Sequence, residues 1–389
     1  MRELPLLADA YLEVRDGRIA SYGLMADCPN FEGLELIDLQ KRTVLPGWCD
    51  SHTHLVYAGS REKEFADRVR GLSYEEIASN GGGILHSARI LQECPEDELY
   101  RQSSERLRDV IGLGTVAIEI KSGYGLTAEA ELKMLRVARR LDEEFPIPVR
   151  KTFLPAHALP DLYRDRKGEY LDLMLDTLLP EVAHKGLADY IDVFCERGFF
   201  DLQDSRRVLQ AGQAYGLSGK IHVNQFSSLG GVGLAVEWNA RSVDHLEVLE
   251  ESDLQALLGS DTLPVALPGC SLFLEIPYTQ GRRIIDAGLP LVLASDFNPG
   301  SAPSGNMNLV VSLACIKMKL TPEEAINAAT LNGAWAMGVE NELGSITVGK
   351  RAHLLVTRPL SSYVQIPYSF GQPLIDRVYL DGELHVEMG

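Results

Sequence analysis

Four of the nine histidines, together with one aspartate, fall in a pattern that can do chemistry. His52 and His54 are separated by one residue, so in an extended chain both imidazoles leave the same face. His222 and His245 lie far downstream in the apolar runs GKIHV and ARSVDHL, and Asp296 directly follows a third run, LPLVLAS. Two imidazoles from one strand, a third from another and a carboxylate make an N₃O set suited to a divalent transition metal. Each signal alone has a plainer reading. An HxH pair is more often two surface or core histidines, and a single His222 or His245 a hydrogen-bonded buried one. Their common position near the ends of apolar runs is what points to one metal site.

Such a site needs a scaffold that brings distant strand ends together. Eight apolar, strand-like runs cross the middle of the chain: TVLPGWC, TVAIEI, VRKTFLPA, YIDVFC, GKIHV, ARSVDHL, LPVALP and LPLVLAS. Several are nearly continuous Val/Ile/Leu, as expected of strands covered on both faces. Helical segments alternate with them. In TAEAELKMLRVARRLDEEF, Thr127 is placed to cap, and Leu132, Leu135, Ala138 and Leu141 recur every three residues. In TPEEAINAATLNGAWAMG, Thr321 can cap and Pro322 suits the first helical turn. Residues 48–340 therefore read as an α/β (β/α)₈ TIM barrel, whose chemistry gathers at the C-terminal ends of the strands. A doubly wound open sheet is the alternative, but the first run lacks the glycine fingerprint that fold would carry. His157, in PAHALP after the third run, belongs at the same rim. His86, His184, His353 and His385 read as structural or solvated. Gly81-Gly82-Gly83 reads as a rim loop, because no Lys-Ser/Thr follows it to make a phosphate cradle.

Residues 1–47 and 341–389 are short β-type pieces. Asp16-Gly17 and Asp381-Gly382 are hairpin signals. Neither end can bury a sheet alone, so the two are expected to pair into one composite β-domain, a small β-sandwich. The 389 residues carry 37 Lys+Arg against 55 Asp+Glu, a net charge of −18 that repels nucleic acid and anionic membranes. No apolar run approaches the roughly 20 residues that cross a bilayer. The six cysteines are scattered without a CxxC pair, which fits a reducing, cytoplasmic setting.

PGWCDSHTH, the single histidines on the fifth and sixth runs, the aspartate after the eighth and the closing GSITVGKRAHLLV together resemble the amidohydrolase superfamily. Within it, HTHLVYAGSREKEFADRVRGLSYEEIASNGGGIL, EIKSGYGL, FLPAHA and SDFNPGSAPSGNM are similar to the imidazolonepropionase family. That resemblance spans nearly the whole chain. It implies hydrolytic opening of 4-imidazolone-5-propanoate to N-formimidoyl-glutamate in histidine breakdown, and a homodimer. It implies one metal, zinc or iron, held by His52, His54, His222 and Asp296, with Asp296 and His245 as the catalytic pair. Arg61, Tyr74, Tyr124, His157, Gln225, Asn298, Gly300 and Ser301 fall where the family holds its substrate, Arg61 as a bidentate clamp on the propionate.

Two positions depart from the family pattern. Where many members carry HxxE, this chain has His222-Val223-Asn224-Gln225, and an amide cannot shuttle a proton at neutral pH. In the closing GK-x-A-D-L motif, His353 stands where aspartate is common. The expectation is that Gln225 binds the ring while Asp296 and His245 do the acid–base work. Two rivals stand beside this reading. One is a related cyclic-amide hydrolase or guanine-type deaminase on the same scaffold. The other is a metal-binding homologue with impaired catalysis.

Overall fold

The structure, a computed structural model, describes residues 1–29, 33–72 and 82–387. The chain opens with a hairpin of β1 (Ala10–Arg15) and β2 (Arg18–Leu24), turned by Asp16 and Gly17 at φ of 50° and 75°. The first apolar run then divides. β3 (Val44–Pro46) belongs to an antiparallel sheet, whereas β4 (Trp48–Thr53) is the first barrel strand. Gly47 makes the switch possible, because a Cβ there would lie 2.2 Å from Val116 Cγ2.

The other seven runs supply β5 (Thr115–Lys121), β6 (Val149–Ala156), β7 (Tyr190–Cys195), β8 (Ser218–Val223), β9 (Ser242–His245), β10 (Leu263–Ala266) and β11 (Val292–Leu293). They pair in parallel and in chain order from β4 to β11, the (β/α)₈ arrangement expected from the sequence. Among the described residues the ladder does not close between β11 and β4. The seam is joined just beyond it, by Asp296 N–H to the His52 carbonyl at 3.0 Å and His54 N–H to the Phe297 carbonyl at 2.9 Å. Below these, Asp50 accepts from Ser295 N–H at 3.0 Å and Ser295 Oγ at 2.5 Å.

Helices cover the barrel as the capping signals indicate. Thr127 Oγ1 accepts from Ala130 N–H ahead of the helix Ala128–Glu144, whose Leu132, Leu135, Ala138 and Leu141 are all buried. Thr321 and Glu324 form a capping box ahead of Pro322–Ala329. Among the described residues no helix is long and apolar enough to cross a membrane.

The two chain ends do meet. β12 (Leu354–Thr357) pairs on one side with β3 and on the other with β13 (Ile375–Leu380), which turns through Asp381-Gly382 into β14 (Glu383–Glu387). Ile19 of the N-terminal hairpin bonds Lys350 and Gly349 through its backbone and packs with Ala352, Leu354, Val356 and Tyr379. Each sheet thus covers an apolar face of the other, which neither end could do alone.

Candidate metal centre and active site

At the C-terminal rim of the barrel, β4 and the residue after it, β8 and the segment after β11 bring the four candidate ligands together. His52 Nε2 lies 3.5 Å and His54 Nε2 3.8 Å from Asp296 Oδ1, and His222 Nε2 lies 3.4 Å from His54 Nε2. Bonds of roughly 2.0–2.1 Å to a tetrahedral ion would space neighbouring ligand atoms by about 3.4 Å. Among the described residues the buried His52 Nε2 has no hydrogen-bond partner, while its Nδ1 is held by Asp244 Oδ2 at 2.6 Å. Two imidazole nitrogens facing each other and a third left bare are unfavourable alone and are satisfied by one shared cation. The donor set therefore fits the expected metal.

Electrostatics favour the metal-binding form of these groups. Burial, then the Lys121 ammonium, pushes His52 well below the ordinary histidine range; burial, then His157 and His222, does the same to His54. Both imidazoles are thus neutral, as a ligand must be. Burial raises the Asp296 carboxyl, against the pull of His245 and His222. Burial also opposes a charge on His245. The Glu247 carboxylate, 3.5 Å from Nδ1, outweighs it with Asp296 and Asp244, so the His245 pKa is raised. Several ends at the rim carry backbone in the left-handed region: Asn224 (φ 57°), His245 (φ 91°), Leu246 (φ 61°) and Asp296 (φ 56°). Strain of this kind, of order 1–3 kcal/mol per residue, persists where the surroundings fix a side chain's aim.

The residues expected to hold substrate divide into those that line the cavity and those that do not. A cavity at the rim is lined by Tyr124, His157, Gln225, Asn298 and Ser301 with His54, His222, His245, Asp296 and Phe194. His157 Nδ1 donates to the Gly123 carbonyl at 3.0 Å, which leaves Nε2 as an acceptor; burial and His222 lower its pKa to about 3, so it stays neutral. Burial raises the Tyr124 hydroxyl, keeping it a donor. Gln225 Nε2 donates to Cys270 Sγ at 3.4 Å. Asn298 is committed mainly to its own loop. Its Oδ1 accepts from Gly300 and Ser301 N–H at 2.8 Å each, and its Nδ2 donates to the Asp296 carbonyl at 2.7 Å.

Arg61 and Gly300 are not among the lining residues. Arg61 Nη1 lies 1.9 Å from where a Cβ on residue 300 would be, so the glycine leaves room for the guanidinium. Glu64 pairs with that guanidinium through Nε at 2.8 Å and through Nη2, and Glu64 also accepts the Gly83 N–H at 2.8 Å. Tyr74 and Gly81 lie outside the described residues.

The histidine pattern alone did not reveal a buried charge cluster beneath the ligands. Glu119, Lys121, Asp192, Lys220 and Asp244 come from four strands of the barrel and are all fully buried. Their signal was a lone charge interrupting an apolar run, in IEIK, YIDV, GKIHV and SVDH. Glu247 and Cys270 carried no comparable signal.

Fold and site together define an amidohydrolase, in which a (β/α)₈ barrel presents a His/Asp metal centre at its rim. Residues 276–384 match the model of the amidohydrolase family. The imidazolonepropionase of Flavobacterium johnsoniae is 57% identical over 384 residues, covering 99% of this chain and 93% of that protein. The imidazolonepropionase of Christiangramia forsetii is also 57% identical, with the same coverage. The chain belongs to the imidazolonepropionase family and is a hydrolase of C–N bonds. Solved structures share the fold at low identity. A 5-methylcytosine deaminase from Klebsiella pneumoniae has a TM-score of 0.78 at 15% identity, covering 99% of this chain and 96% of that one. The guanine deaminase of E. coli has a TM-score of 0.73 at 14% identity, covering 98% and 92%.

Proposed function

We propose that this protein opens the ring of 4-imidazolone-5-propanoate with water, giving N-formimidoyl-glutamate in cytoplasmic histidine degradation, as a homodimer acting on a small molecule. The observation that carries the reading is convergence. His54, His222, His245 and Asp296 come from distant strands to line one cavity, and His52 stands against Asp296 at its edge. A zinc or iron ion held by His52, His54, His222 and Asp296 supplies Lewis acidity and makes water a usable nucleophile at neutral pH.

The chain's own residues supply the rest. Arg61 pairs with the propionate and fixes the ring's orientation. Tyr124 donates to the ring, and His157 Nε2 accepts from it. With Nε2 of Gln225 directed to Cys270, its Oε1 accepts a ring N–H. Asp296, whose basicity burial raises, takes the proton as water adds to the ring carbonyl carbon. His245, whose pKa Glu247 raises against burial, is placed to donate to the carbonyl oxygen as negative charge builds on it. Return of the proton from Asp296 to the ring nitrogen releases the C–N bond.

The test monitors the ultraviolet absorbance of imidazolone propionate with metal-loaded protein. Turnover above the spontaneous rate supports the proposal, and its absence leaves only a metal-binding module. Gln225→Glu is expected to change turnover by less than about tenfold, because the base is Asp296. A rise of several orders of magnitude would overturn that assignment. Release of ammonia from a purine, with no dependence on Arg61, would favour the deaminase reading.

A further inference from the structure

We infer that Lys121 is a positioning residue for the metal centre: its single buried ammonium fixes the two aspartates that aim His52 and His222. The inference rests on the metal site proposed for these histidines and concerns the layer beneath the ligands. Asp244 Oδ2 lies 2.6 Å from His52 Nδ1 and 3.5 Å from Lys121 Nζ. Asp192 Oδ2 lies 3.0 Å from His222 Nδ1 and 2.8 Å from the same Nζ. Each oxygen therefore sits between an imidazole and one shared ammonium. The opposite oxygens are also held: Asp192 Oδ1 accepts from Val193 N–H at 2.7 Å and His222 N–H at 3.2 Å, and Asp244 Oδ1 accepts from Ser242 Oγ at 2.5 Å.

This arrangement decides ring rotation. A histidine ligand must keep one nitrogen turned to the cation, and a partner on the other nitrogen fixes the angle. Here those partners are carboxylates buried beside a third, Glu119, which also binds Lys121 at 2.7 Å. Removing the ammonium leaves three anions close together without the charge that draws Asp192 and Asp244 together; His52 loses a fixed hydrogen-bond partner and His222 loses a carboxylate held in close ion-pair contact. Lys220 gives an internal contrast. It is equally buried in the same cluster, but its ammonium pairs with Glu119 and reaches the Ser51 carbonyl at 3.5 Å. It serves the cluster without serving the histidines.

The experiment uses the full-length metal-loaded protein and measures transfer of metal to a chromophoric chelator, with metal content determined beforehand. Lys121→Met is expected to release metal at least about tenfold faster than wild type. Lys220→Met, with a comparable loss of thermal stability, is expected to release it at the wild-type rate. Wild-type release from Lys121→Met, or equal acceleration in both variants, overturns the inference. Should Lys121→Met fail to fold, Asp244→Asn takes its place, since it keeps the shape and removes the charge. The same acceleration is expected there, and a wild-type rate overturns the inference. Wild-type protein that holds no metal would instead sink the underlying metal reading, a separate outcome.

Discussion

Gly300→Ala tests the substrate clamp without touching the clamp residue. Residue 300 does not occupy the left-handed region, so alanine meets no backbone penalty and the effect is steric. The new methyl would lie 1.9 Å from Arg61 Nη1, so the guanidinium must retreat by about 1.5 Å to reach an ordinary contact of roughly 3.5 Å. Arginine tips usually yield cheaply, but this one is anchored by Glu64 through two nitrogens of one edge, Nε and Nη2, and Glu64 is itself held by Gly83 N–H and Arg68. A shift of that size breaks the alignment for a carboxylate. A hydrogen bond to a charged group contributes about 1.5–3 kcal/mol, so kcat/KM should fall about ten- to a hundredfold. The loss should appear in KM, because the propionate is remote from the reacting carbonyl and bound alike in ground and transition states. Initial rates from the ring absorbance give both constants. In the double variant with Arg61→Ala, the alanine at 300 should add almost nothing, since its effect acts through Arg61. A KM within about twofold of wild type, or a fully additive double variant, would refute the reasoning.

Two further outcomes concern the metal site and the composite sheet. Stripping the metal with a chelator should abolish turnover and lower the melting temperature. Free metal at a hundred times its Kd restores about 2.7 kcal/mol, so calorimetry with and without metal checks both effects. His353 is buried, its Nδ1 accepts the Asp381 N–H at 3.0 Å, and burial together with Arg351 lowers its pKa to about 4. The unfolded chain binds that proton first, so stability from this residue is full above about pH 6.5 and is lost as pH falls toward 4. Melting curves across that window should steepen less for His353→Asn than for wild type; an unchanged slope would show that another group dominates.

The barrel was legible because its strands are covered on both faces, which turns each into a nearly unbroken apolar run. Where that signal was misleading, the cause is local. TVLPGWC reads as one strand, but Gly47 passes so close to Val116 that the chain changes sheets there, and periodicity carries no trace of such a contact. The candidate site was legible because His52, His54, His222, His245 and Asp296 recur at one end of these runs. The substrate shell was legible only through resemblance. No pattern of residue types says that Gly300 is small to admit Arg61, or that Gln225 is oriented by Cys270, since both contacts join segments far apart in sequence. The charged layer was visible as interruptions of apolar runs, but a single Lys or Asp in a strand does not say which opposite charge it will meet.

The position of the site stems from how the barrel closes. β11 pairs over only two residues, and among the described residues no ladder joins it to β4, so the first and last strands are held chiefly by the segments just beyond them. The backbones of His52, His54, Asp296 and Phe297 make that join, and the side chains of the first three belong to the proposed metal site. A cation there therefore ties together the two strands that the ladder leaves apart, across more than half the chain. Asp296 reaches it only with its backbone at φ 56°, a conformation unfavourable for aspartate unless its carbonyl and carboxylate are both held in place. Asn298 holds the carbonyl at 2.7 Å, and the carboxylate faces the His52 and His54 imidazoles across the proposed metal site. The seam that closes the barrel and the proposed catalytic centre are thus built largely from the same residues. That is why His52, His54 and Asp296 come from the first strand and the segments just beyond the first and last strands, and of the four proposed ligands His222 alone comes from the middle of the sheet.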